Sequence, residues 1–220
     1  MSDATAFLNS LLPNPLQPWI PGAIRHAWQA LDAERAAAPA ATADPTPTPP
    51  FADVATLLIA ARAPWTPYAL RALACLGCDD ELARGQATAL ASAAWLLAQL
   101  TELQSDCRHG IPWLALDEIA RHRSSIAALG SGLVNPALMQ ANVDRARRLL
   151  RAGSPLARRL PARAGFLLRL ALLAADERIL RLRALDPSAL QPFAARHWLR
   201  LGAQALWHGI RPQRETRTHP

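Results

Sequence analysis

From Glu81 to Cys107 the chain runs without a proline and with a single glycine, Gly85. Ala and Leu dominate the stretch, and these residues lose least on entering a helix. Asp79-Asp80 stands just before it as an N-cap signal, and Glu81 places a negative charge at the first turn, where the helix dipole favours one. Gly110 and Pro112 end it. The segment therefore predicts a helix over about 81–107, roughly 40 Å long at 1.5 Å per residue. Around an element of that length the rest of the chain reads as helix after helix.

Ile20, Ile24, Trp28 and Leu31 recur at three- and four-residue spacing and predict an N-terminal helix from about Pro21 to Ala37. Pro39 to Pro50 (PAATADPTPTPP) reads as a Pro/Thr-rich linker. Helices are then predicted from Phe51 to Arg62 and from Pro67 to Leu76, and a helical turn from Asp117 to His122. A loop is predicted through Gly130 and Gly132. Asn135-Pro136 is an N-cap with proline at the first turn, opening a helix to about Ala152 that Gly153-Ser154-Pro155 interrupts. Two more helices follow, about Ala162–Ala184 and Pro187–Trp207. No alternating stretch is long enough for a sheet, so the class is all-α. The expected organisation is an N-terminal segment (1–38), a linker (39–50), a helical domain (51–209) and a polar tail (210–220).

All 24 basic residues are arginine, and the net charge is +7. The charge favours anionic partners such as diphosphates or an acidic membrane face. A nucleic-acid binder would mix in lysine and add aromatic or Gly-rich context, so no nucleic-acid role is expected. Three cysteines are too few for a disulfide scaffold in 220 residues. The first residues carry no basic n-region or long apolar core, and no stretch reaches the ~18 apolar residues of a spanning helix. A cytoplasmic protein with peripheral membrane contact at most is the expectation.

The stretch from Cys78 to Ile119 reads CDDELARGQATALASAAWLLAQLTELQSDCRHGIPWLALDEI. It holds an Asp-Asp turn, a long small-residue helix and the acidic pair Glu102 and Asp106 four residues apart. Arg108, Gly110, Trp113-Leu114 and Asp117-Glu118 follow. A second stretch, Arg145 to Leu180, holds a Gly-x-Pro-Leu turn and a Leu-Pro-x-Arg step before a Leu/Arg helix. In this order and at this separation the two pieces resemble the squalene/phytoene synthase family, over about Ala52 to Trp207. The resemblance implies an isoprenoid-synthase-like helical bundle, shortened at its N-terminus.

The resemblance also implies a chemistry. Family members condense two prenyl diphosphates head to head, with Mg²⁺ held by acidic motifs on facing helices. Ionising a C–O bond to diphosphate in a dry cavity requires positive charge on the leaving group, and hard carboxylate oxygens hold such ions. Carboxylates four apart on a helix share one face, roughly 6 Å apart at Cβ. Glu102 and Asp106 fall on the second acidic motif as Mg²⁺ ligands, with Arg108 and Trp113 as ligand-binding positions beside them. The first acidic motif has no counterpart. Before Ile59 the acids are Asp3, Asp32, Glu34, Asp44 and Asp53, and no two are four apart. The Gln and Asn that precede the second motif in the family are Trp95 and Ala98 here.

Two readings follow. One is a degenerate member that binds a prenyl or lipid ligand or serves as a partner or assembly subunit. The other is an active Mg²⁺-dependent prenyl-diphosphate transferase whose missing carboxylates come from a protein partner or a second copy. Plainer readings stand beside the individual motifs. Glu102 and Asp106 also fit a solvated helix face, and Asp79-Asp80-Glu81 fits a cap better than a metal cluster. Cys75 and Cys78, with Cys107 and His109, would form a zinc set only if the long helix folded back. The arginines from Arg145 to Arg163 fit a solvated face better than a lipid-binding patch. The seven tryptophans fit packing.

Overall fold

A computed structural model describes residues 14–37, 47–186 and 195–210. A 3₁₀ turn, Asn14–Trp19, leads into α1, Gly22–Ala37. The helices α2 (Val54–Arg62), α3 (Thr66–Cys75) and α4 (Glu81–Arg108) follow. Next come α5 (Leu116–Arg121), α6 (Ile126–Gly130) and α7 (Pro136–Gly153). The chain continues through α8 (Leu156–Arg159), α9 (Ala162–Arg183) and α10 (Ala195–Ile210). Among the described residues there is no strand; the one β contact is an isolated bridge between Phe51 and Ala115.

The central element is α4, 28 residues long. Asp80 caps it as expected, its carboxylate accepting from the Ala83 backbone N–H at 3.1 Å. The same carboxylate meets the Arg159 guanidinium, which ties α8 to the start of α4. α4 packs against α2, α3, α6 and α7, while α9 packs against α7, α8 and α10. α7 approaches α4 most closely at Gly153, where an added Cβ would lie 2.6 Å from the Gln86 carbonyl oxygen and would also strike Leu90. Only a residue without a side chain fits there.

The N-terminal helix is docked rather than suspended. Ile24, Trp28 and Leu31 are buried and belong to the same core cluster as the buried residues of α3, α4 and α7. Trp28 donates from its indole nitrogen to the Tyr68 carbonyl at 2.6 Å, and Glu34 pairs with Arg71 at 2.8 Å. The linker is described only from residue 47 onward.

The segment expected as a loop before Gly130 is instead the short helix α6. Ser125 caps it through the Ala128 N–H, and the apolar run Ile126–Leu129 presents Leu129 to the core. The helix expected from Phe51 begins at Val54, because Asp53 caps it by accepting from Thr56 at 2.8 Å and thereby fixes the start. Phe51 is buried, with its carbonyl bonded to the Leu116 N–H. The turn after Gly153 carries the extra helix α8. Of the helix expected over 187–207, residues 187–194 lie outside the described residues, as do 211–220 of the tail. No described helix is long and apolar enough to cross a membrane.

Candidate functional site

Glu102 and Asp106 lie one turn apart near the C-terminal end of α4. Glu102 is exposed and Asp106 half-buried. Burial is the larger cause that lifts the Asp106 carboxyl above its ordinary range, and the Glu102 charge adds to it; His109 pulls the other way. The two carboxylates thus feel each other across one helical turn. The rest of such a site is not assembled. No group of three or more His, Cys, Asp or Glu among the described residues is placed to hold a metal ion. A hollow of ≈ 190 Å³ opens beside this part of α4, lined by Thr101 and Gln104 among others, and neither carboxylate lines it.

The acids before Ile59, where the resemblance would seek the first acidic motif, are committed elsewhere. Asp32 accepts from the Tyr68 hydroxyl at 2.6 Å, Glu34 pairs with Arg71, and Asp53 caps α2. Asp3 and Asp44 lie outside the described residues. A divalent cation that must carry a diphosphate's charge needs more hard oxygens than one carboxylate pair provides. The described residues do not fit a Mg²⁺ centre of that kind.

The other two expected residues have packing partners. The Arg108 Nε donates to the Gly130 carbonyl at 2.9 Å, joining the end of α4 to the end of α6. Trp113 is half-buried against Trp95, edge to face with ring centres 5.4 Å apart, and against Phe51 at 5.9 Å. Trp95 is 4% exposed. Where the resemblance implies an amide side chain ahead of the acidic motif, an indole fills the interior, in a geometry aromatic pairs prefer.

Several sequence motifs resolve structurally. Cys75 and Cys78 precede α4 while Cys107 is buried at its far end, and an unbroken helix of ~40 Å between them excludes a shared zinc ion. In the arginine run, Arg148, Arg151, Arg158 and Arg163 are exposed, whereas Arg159 binds Asp80. Arg145 is buried and spans α7 to α5. Its guanidinium meets both oxygens of Glu118, at 2.5 and 3.2 Å, and donates to Asn142 Oδ1 at 2.6 Å. Glu118 is 3% exposed and Arg145 9%. Both stood in the two segments that carry the resemblance, and only their pairing was beyond the sequence.

An apolar cavity of ≈ 140 Å³ lies at the other end of the bundle. Ile24 and Trp28 of α1, Leu73 of α3, Ala87 and Leu90 of α4, and Leu167 and Ala171 of α9 contribute to its wall. Every lining residue is apolar in character, and alanines open the space. It is partly open to solvent, and its volume and lining suit a benzene-sized hydrocarbon group.

The described residues form an all-α helical bundle. The structure is similar to that of squalene synthase HpnC from Alicyclobacillus acidocaldarius, with a TM-score of 0.57 and 18% sequence identity over 78% of this chain and 72% of that one. The chain therefore has a squalene-synthase-like fold. No protein-family model matches the sequence, and no curated protein does.

Proposed function

We propose that this squalene-synthase-like bundle has exchanged head-to-head condensation for binding, and holds the tail of an isoprenoid or similar lipid as a carrier or partner subunit. The observation that carries this reading is the fate of the acids before Ile59. Asp32, Glu34 and Asp53 are each engaged in a structural hydrogen bond or ion pair, which leaves Glu102 and Asp106 without a described opposite number. Two supports accompany it: the wholly apolar cavity, with room for about one isoprene unit, and the indole of Trp95 where a polar group would approach substrate.

A second reading keeps the chemistry. Glu102 and Asp106 retain the four-residue spacing, and the Asp106 carboxyl is raised by burial and then by its neighbour's charge. In that reading a partner subunit supplies the other carboxylates and the chain acts as an Mg²⁺-dependent prenyl-diphosphate transferase.

The test is diphosphate release from farnesyl and geranylgeranyl diphosphate, with and without Mg²⁺, by the wild type and by Glu102→Ala/Asp106→Ala. The expected result is no Mg²⁺-dependent release by either protein, with farnesol bound equally by both. Release by the wild type that the double variant loses would overturn the binding reading in favour of the second.

A further inference from the structure

α10 has two apolar faces. The inner one is docked, with Leu201 and Ala205 buried against Leu170 and Ala174 of α9. On the opposite side Leu199, Ala203 and Leu206 follow at the i, i+4, i+7 spacing that places them along one stripe. Leu199 is 76% exposed and Leu206 56%. Trp207, 55% exposed, and the exposed Arg196 and Arg200 border the stripe on one side, Arg200 also pairing with Glu177 of α9 at 3.4 Å. The 3₁₀ turn Asn14–Trp19 sends Leu16 into the same α9–α10 cluster, and its Trp19 is also half-exposed. From Ala195 to the C-terminus the sequence carries five arginines against the single acid Glu215.

We infer that the outward face of α10 is a membrane-surface contact, which lies flat on an anionic bilayer with Leu199, Leu206 and Trp207 in the headgroup–acyl boundary. An interfacial helix buries an apolar face a short way into the boundary, and aromatic side chains seat there because one end of each ring is apolar and the other wet. Arginines at the edge of the stripe meet lipid phosphates, and the guanidinium pairs with phosphate in a bidentate fork. Charge decides between occupants. A second copy of this chain would set arginine against arginine across a two-fold axis, whereas an anionic lipid surface neutralises them. The membrane contact is independent of whether Glu102 and Asp106 bind metal.

The test is co-sedimentation of the full chain with vesicles of phosphatidylcholine alone and of phosphatidylcholine mixed with phosphatidylglycerol. The wild type is expected on the anionic vesicles, and less so as salt rises. Leu199→Glu/Leu206→Glu is expected to weaken that binding by at least about tenfold, and Arg196→Gln/Arg200→Gln by about fivefold for each arginine. Leu82→Glu, at a leucine 62% exposed on α4, should leave it unchanged. All three alter exposed positions, and unchanged thermal unfolding by circular dichroism confirms that they fold. Equal binding by wild type and Leu199→Glu/Leu206→Glu would overturn the proposal, as would no preference for anionic vesicles. A wild type that ignores vesicles but forms a dimer that Leu199→Glu/Leu206→Glu dissociates would assign the face to a second copy instead.

Discussion

Tyr68 is the chain's single tyrosine, and its hydroxyl donates to Asp32 while accepting from Arg35 at 3.2 Å. Burial, then the Asp32 hydrogen bond, pushes its pKa from 10.0 up to about 12. Between those values the folded chain keeps a proton that the unfolded chain has released, so stability falls as pH rises from about 10 to about 12. An absorbance titration of phenolate, which reports Tyr68 alone, should show ionisation delayed to about pH 12, and Asp32→Ala should move the midpoint part of the way back. A midpoint near 10 in the wild type would mean that α1 does not hold Tyr68 as described. At this scale the sequence was only half legible. Asp80 and Asn135 cap helices where local spacing says they should, because a cap is formed within three residues. The Asp32–Tyr68 and Glu118–Arg145 pairs join positions 36 and 27 residues apart, and no local pattern encodes which carboxylate meets which donor.

The helices themselves were legible where periodicity ran long and a cap or breaker closed it, as in α1, α4, α7 and α9. α6 and α8 were missed because five and four residues are too short for a period, although Ser125 before an apolar run is a start signal in hindsight. What couples two of these elements is the buried Glu118–Arg145 pair between α5 and α7, with Asn142 in the same network. Arg145→Met leaves Glu118 charged and buried without its partner, and is expected to cost about 3–5 kcal/mol in urea unfolding. Glu118→Leu/Arg145→Met removes both charges and should recover most of that loss, since a buried pair often breaks even against apolar residues of similar volume. A double variant no better than Arg145→Met alone would show that the hydrogen bonding of Asn142, rather than charge pairing, dominates the site.

For the whole molecule, the resemblance anticipated the fold and a squalene-synthase structure matches it, while the acidic pair's surroundings could be seen only once Asp32, Glu34 and Asp53 were placed. α1 belongs to the same core as the helices that follow the linker. Trp28→Ala is therefore expected to cost about 3–5 kcal/mol and to lower one cooperative transition. Two separate transitions in calorimetry would instead make residues before the linker an independent unit. The length of α4 has a last consequence. Leu90, on the cavity wall, and Glu102 are twelve residues apart on one unbroken rod, about 18 Å along its axis. A group seated in the apolar cavity therefore cannot touch a group beside the two carboxylates. Only a ligand long enough to bridge that gap could contact both ends of the helix at once.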